Sequence, residues 1–150
     1  MKLIAAKLSL LAFFIICASA QHTPLSLKLG KSVVGANTLP AWEIKNESSK
    51  EVIAFVLISK EGGMTHSLET IVGQSPGAAK LMPGNSMKLP SGSRGARLTS
   101  AANPTLDLVI FADGTTWGND AFKKADYIKG KIDGAALERK RQALSAKASK

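Results

Sequence analysis

Sulfur and imidazole side chains carry the most distinctive chemistry in this 150-residue chain. Met64 and His66 stand two apart behind a pair of glycines, and Met82 and Met87 flank a second turn-like stretch. Thioether and imidazole ligands suit copper, Cu(I) in particular. A copper site built from these four residues is therefore one hypothesis. The alternative is that the methionines fill gaps in a core and that His66 is an ordinary loop residue.

Side chains for acid–base or nucleophilic catalysis are sparse. The two histidines are His22 and His66, and His22 lies near a predicted chain start, where the fixed geometry of a general base is hard to maintain. No nucleophile elbow, zincin motif, phosphate-binding loop or dinucleotide fingerprint occurs. The sequence therefore predicts a protein that is not an enzyme. Five of its carboxylates fall at predicted outward-facing strand and turn positions, namely Glu43, Glu47, Glu51, Asp107 and Asp113. Hydrolysis by a pair of carboxylates remains an alternative, because their separation in space is not visible in the sequence.

Basic side chains concentrate at the C-terminal end. Residues 121–150 hold nine Lys or Arg and three Asp or Glu, whereas residues 21–120 are nearly neutral. Such a segment could contact an anionic lipid or cell-wall surface, or it could be a solvated helix face with screened charges. Nucleic acid is a poorer candidate, because few aromatic residues are present there for base stacking. The candidate contact residues are Lys123, Lys124, Lys129, Lys131, Arg139, Lys140 and Arg141.

The first twenty residues have the three parts of a secretory signal peptide: a cationic start, an apolar run and a small-x-small end. The apolar run is too short for a transmembrane helix, which needs about 20 residues. We expect cleavage between Ala20 and Gln21, with Ala18 and Ala20 as the small residues. The expected location is secreted or periplasmic.

The only cysteine, Cys17, lies inside that segment. A mature chain would then have no thiol, which excludes disulfides, thiol catalysis and cysteine-based zinc sites. Burial of apolar surface would have to hold it together, and a chain of this length can bury enough.

Alternating apolar residues predict strands that position these side chains. Leu25, Leu27 and Leu29 form one such set, Trp42 and Ile44 a second, and residues 106–110 a third. The continuous apolar run 52–58 predicts a central buried strand. Weaker strand candidates are 67–72, 86–89 and 94–99. We expect Trp42 and Trp117 to be core aromatics.

Turn residues separate the predicted strands. The polar link 46–50 suggests an antiparallel hairpin between its neighbours, and Asp113-Gly114 suggests a two-residue hairpin turn in which both residues have positive φ. Asn46-Glu47-Ser48 is also a glycosylation sequon, relevant only in a eukaryotic secretory pathway.

The C-terminal segment predicts one or two helices. Asn119 or Asp120 can cap a helix that ends at Gly130, and Asp133 can cap a second helix from Gly134 to about residue 148. Leu137 and Leu144 stand seven apart in that second helix. The domain prediction is a signal peptide at 1–20, a β-sandwich at 21–118 and a basic helical segment at 119–150.

The resulting fold class is mainly β: an antiparallel immunoglobulin-like sandwich, or a small barrel, followed by one or two C-terminal α-helices. Over about two-thirds of the chain the pattern is similar to immunoglobulin-like or fibronectin-like modules, although the Cys…Trp…Cys framework is absent. The leading functional hypothesis is an exported, non-catalytic protein that binds another protein or an envelope component, or has a structural role there. The alternatives are a periplasmic copper-binding protein and a protease inhibitor with presented loops.

Overall fold

The computed structural model describes residues 22–34, 37–73, 80–90 and 103–148. Within these ranges the chain forms, in order, β1 (Leu25–Val34), β2 (Asn37–Asn46), β3 (Val52–Glu61), β4 (Met64–Ile71), β5 (Ser86–Pro90), β6 (Thr105–Phe111), β7 (Thr116–Gly118) and α1 (Ala125–Ala148). One antiparallel sheet has the order β1-β2-β5 and the other β4-β3-β6-β7. The predicted mainly-β sandwich followed by a helix is confirmed.

The main core lies between the two sheets. Alternate residues on each strand point toward the opposite sheet, so apolar residues at every second position meet there. Trp42 is 8% exposed and is a core residue as predicted, whereas Trp117 is partly buried and packs against the margin of the cluster. We call this cluster the inter-sheet core; its buried members are Leu25, Trp42, Ile44, Val52, Phe55, Leu57, Leu81, Val109 and Phe111.

A second apolar cluster covers the outer face of the four-stranded sheet. Phe55 and Leu57 on β3 face the inter-sheet core, whereas Ala54 and Val56 face the other way. The helix closes this second cluster by inserting Ile128, which is fully buried. This arrangement explains why the run 52–58 is apolar throughout: β3 is covered on both faces. The remaining buried members are Leu108 and Ile110.

The polar link after β2 is not a hairpin turn. β2 belongs to the three-stranded sheet and β3 to the four-stranded one, so the link crosses between the layers. Asn46 organises this crossing from a fully buried position: its Nδ2 donates to the carbonyls of Lys50 (2.8 Å) and Leu81 (2.9 Å), and its Oδ1 accepts from the backbone N–H and hydroxyl of Ser48. The hairpin was predicted because a short polar link joins two strong strand patterns, and such a link carries no information about which layer each strand joins.

The two-residue turn with positive φ lies elsewhere than predicted. Gly62 and Gly63, between β3 and β4, have φ values of 57° and 78° and form it. In the β6–β7 turn only Gly114 has positive φ, at 82°, and its N–H donates to the Phe111 carbonyl. The Asp113 carboxylate instead accepts hydrogen bonds from the N–H and hydroxyl of Thr115. These bonds lie within a turn that is longer than the predicted two residues.

The helix is one continuous element of 24 residues, so the predicted stop at Gly130 and the predicted second cap at Asp133 were wrong. Gly130 and Gly134 are not among the residues with positive φ. Ile128 and Ile132, on either side of Gly130, both pack on the outer sheet face. Their burial offsets the cost of about 1 kcal/mol that each helical glycine carries.

Three predictions fall outside the described residues: the signal segment at 1–20, its cleavage before Gln21, and the strand candidate at 94–99.

Candidate binding surface on the C-terminal helix

A β-bulge in β6 holds the segment that leads into the helix. Leu106 and Leu108 pair with consecutive residues of β3, so Asp107 is an extra residue between them. The bulge turns Asp107 inward to 5% exposure, contrary to the outward position predicted from alternation. Its Oδ1 accepts the Ala121 N–H at 3.1 Å, and its carbonyl accepts the Asn119 N–H at 2.9 Å. Asp107 therefore holds the segment that connects β7 to α1.

Gly118 allows this segment to lie against the bulge. Its φ is 111°, and a Cβ at this position would overlap the Asp107 carbonyl oxygen and lie 3.2 Å from the Leu108 Cα. Only glycine accommodates both the φ value and the close backbone approach. The position of the helix thus depends on a residue without a side chain.

Asp120 accepts hydrogen bonds from the start of the helix, but the helix begins at Ala125 and not directly after Asp120 as predicted. Its Oδ1 accepts the Lys124 N–H at 2.6 Å and its Oδ2 accepts the Ala125 N–H at 3.1 Å. Lys124 in turn places its Nζ 2.7 Å from Glu69 on β4, in a half-buried ion pair. Together with Ile128, these contacts fasten the first turns of α1 across the sheet.

Beyond Ile132 the helix leaves the sandwich. From residue 137 to 147 every described side chain is exposed, and Leu137 and Leu144 are 66% and 67% exposed. At about 1.5 Å per residue, the eleven residues from Leu137 to Lys147 correspond to roughly 16 Å of helix. Within the described residues, the sandwich does not cover this exposed, basic length of helix.

Some of the candidate basic residues have partners within the protein, so the candidates do not form one patch of free charges. Lys124 is tied to Glu69. The ammonium of Lys131 lies 4.3 Å from the centre of the Tyr127 ring, and hydrogen bonding by that side chain raises the pKa of Lys131.

The two arginines lie further along the helix. Arg141 pairs with Glu138 at 3.1 Å, and Arg139 donates to the Ala135 carbonyl. Lys123 and Lys140 are exposed, and Lys129 is partly exposed.

The proposed copper ligands are not brought together. Met64 and His66 lie on β4, not in a loop, and Met64 faces Glu61 across the β3–β4 turn. Met82 follows Leu81, which bridges to Val52 at the opposite end of β3. Since β3 has ten residues at about 3.3 Å each, roughly 30 Å separates the two ends.

Met87 packs against the inter-sheet core, the gap-filling role that was the alternative to metal binding. A single site using all four side chains is therefore not formed. Within the described ranges, no three His, Cys, Asp or Glu side chains are grouped as metal ligands would be.

The sequon asparagine is structural. Asn46 is fully buried and both of its amide hydrogens are engaged by backbone carbonyls, so the folded protein cannot present it to a glycosyltransferase. A cavity of about 460 Å³ opens at the other end of the outer sheet face, lined in part by Ile58, Lys60, Asn103 and Thr105. One lysine among neutral groups does not indicate a particular chemistry.

Comparisons with protein-family models, curated proteins and solved structures found no match. Among the described residues, no helix is long and apolar enough to cross a membrane.

Proposed function

We propose that this protein is exported and non-catalytic, and that it acts by binding an anionic surface of the cell envelope through the exposed part of α1. The observation that carries the proposal is the division of α1 into a fastened beginning and an exposed, basic remainder. Side chains from Lys124 to Ile132 attach the helix to the sheet, and Arg139, Lys140, Arg141 and Lys147 lie beyond it.

The sandwich has the role of a scaffold in this proposal. The orders β1-β2-β5 and β4-β3-β6-β7 differ from the two sheets of a constant-type immunoglobulin domain only in the sheet that the fourth strand joins, which supports an immunoglobulin-like or fibronectin-like module. Such modules bind through loops and edge strands as well as through appended segments. The signal-like segment at 1–20 supports an exported location, secreted or periplasmic.

Copper binding has less support than the sequence indicated, because fewer of the proposed ligands lie close together. Only Met64 and His66, two apart on one face of β4, remain as neighbours. Two ligands of this kind do not make a copper site without further donors, and no observation favours this function over surface binding.

Two measurements test the proposal. N-terminal sequencing of the protein recovered from its own cells should begin at Gln21; an intact Met1 would contradict export. Co-sedimentation with envelope vesicles at low salt should be strong for the full chain and weak for a chain ending at Gly134, which keeps Ile128 and Ile132 and should remain folded. Equal co-sedimentation of the two chains would refute a binding role for the helix.

A further inference from the structure

Large apolar side chains lie on opposite sides of the helix. Ile128 is buried against the sheet, and Leu137 follows nine positions later, a rotation of about 180° at 3.6 residues per turn. Leu144 follows Leu137 by seven positions and so lies at nearly the same angle. Both leucines therefore face away from the sandwich. We call the surface around Leu137 and Leu144 the leucine face.

We propose that the leucine face lies on an anionic lipid bilayer, with Leu137 and Leu144 inserted among the headgroups. This inference rests on the proposed function and names its partner as lipid. Two large apolar side chains at more than 60% exposure are a cost in water and a gain at the boundary between headgroups and acyl chains. The sandwich lies on the far side of the helix and would not obstruct a flat surface.

The charges beside the leucine face fit an anionic bilayer. Lys140 and Lys147 are seven positions apart on one flank of the leucines, and Arg141, which pairs with Glu138, lies on the other flank. Asp133, one turn before Leu137, is an acidic residue on the same face, so the basic residues outnumber it there. Long basic side chains at this position can extend their charged ends to lipid phosphates while their methylene stems lie on the apolar layer. Each contributes favourably near a negatively charged leaflet.

The same charges argue against a second copy of the chain as the occupant. Pairing two such helices would bring together an excess of positive charge, and two leucines provide a shorter apolar seam than a stable coiled coil uses. A soluble polyanion would satisfy the lysines but offers no apolar phase to the leucines. The charged residues of α1 are Lys129, Lys131, Arg139, Lys140, Arg141 and Lys147 against Asp126, Asp133 and Glu138.

The test measures binding of the processed full chain, its N-terminus verified by sequencing, to three probes. These are vesicles of equal phosphatidylglycerol and phosphatidylcholine, vesicles of phosphatidylcholine alone, and dextran sulfate. We expect the tightest binding to the anionic vesicles, weaker binding to dextran sulfate that does not depend on the leucines, and none to phosphatidylcholine alone. The double variant Leu137→Ser/Leu144→Ser should bind them about tenfold more weakly, and the single variant Leu144→Ser should be intermediate.

Two matched variants on the sandwich act as controls. Leu29 is also exposed, at 45%, and Lys28 is exposed on the same strand. Leu29→Ser should leave vesicle binding unchanged if insertion is specific to the helix. Lys140→Glu should weaken binding to anionic vesicles by at least tenfold at low salt and less when salt is added, whereas Lys28→Glu should have little effect.

Each of the other possible binding results refutes a different part of the proposal. Equal binding to anionic vesicles and dextran sulfate, insensitive to the leucine variants, would overturn insertion and leave the anionic-surface function standing. No binding to either would overturn both. A dimer detected by light scattering and lost in the leucine double variant would assign the leucine face to a second copy and overturn the lipid proposal.

Discussion

Replacing Asn46 by alanine should destabilise the protein strongly, because this side chain joins three segments of backbone. Its amide donates to the Lys50 and Leu81 carbonyls, and its oxygen accepts two hydrogen bonds from Ser48. Both carbonyls keep a second donor, the Ser48 hydroxyl for Lys50 and the Val52 N–H for Leu81. The Ser48 N–H loses its acceptor. Four bonds at roughly 1 kcal/mol each, with partial relief at the carbonyls, suggest a loss of about 3 kcal/mol.

Urea unfolding followed by tryptophan fluorescence measures this loss, since Trp42 is buried and Trp117 packs at the core margin. The midpoint should fall by roughly 1 to 2 M with an unchanged slope. Asn85→Ala is the matched control: Asn85 is exposed in the neighbouring turn, and its replacement should cost less than about 0.5 kcal/mol. Equal midpoints for the Asn46 and Asn85 variants would refute the account of Asn46 as the organiser of the crossing.

A second replacement separates hydrogen bonding from packing. Asn46→Asp preserves the shape of the side chain but places a carboxylate oxygen, which is an acceptor, against two carbonyl oxygens. Burial raises the pKa of the introduced carboxyl in the folded state. A raised folded-state pKa means that stability is lost as the pH rises through it. This variant should therefore be less stable than Asn46→Ala at neutral pH and should recover as the pH falls. A pH-independent difference would contradict the reasoning.

Three further predictions concern turns and the helix. Gly118→Ala should cost more than about 3 kcal/mol, whereas Gly114→Ala, with positive φ but open space around it, should cost about 1 kcal/mol; similar urea midpoints would contradict the close approach at Gly118. Gly130→Ala should stabilise the protein by about 0.5 to 1 kcal/mol in thermal unfolding, and a loss would indicate that the helix ends there. Hydrogen bonds from Lys50 and Thr115 lower the pKa of Asp113 below its ordinary 3.8, so its contribution is present above that pH and lost on acidification. Asp113→Asn should lower neutral-pH stability and converge with the unmodified protein as the pH falls below 3.8, and a constant gap would refute this.

Much of the strand content could be predicted because alternation is a local property. Leu25 and Leu27, or Trp42 and Ile44, reveal a buried face within a few residues, and the continuous run in β3 indicates cover on both sides. Asp120 was recognised as a cap for the same reason, since its partners lie within five residues. The sandwich class follows from such short-range patterns together with frequent turns.

Less of the candidate surface could be predicted from the sequence. The basic residues were visible, but the sequence could not show that Lys124 is paired with Glu69, distant in the chain. Leu137 and Leu144 could be placed on one helical face, yet which face depends on Ile128 facing the sheet and on the helix continuing through Gly130. A glycine at a helix end and a glycine within a helix look alike until the packing on both sides is known.

The sequence alone establishes which residues alternate, where turns occur, how charge is distributed along the chain and that the only thiol is Cys17, because each is local or compositional. The tertiary structure decides which layer each strand joins, why Asp107 points inward and which side of α1 is left uncovered. These depend on contacts between residues far apart in the chain, whose free energy exceeds the local preferences that a sequence pattern reports.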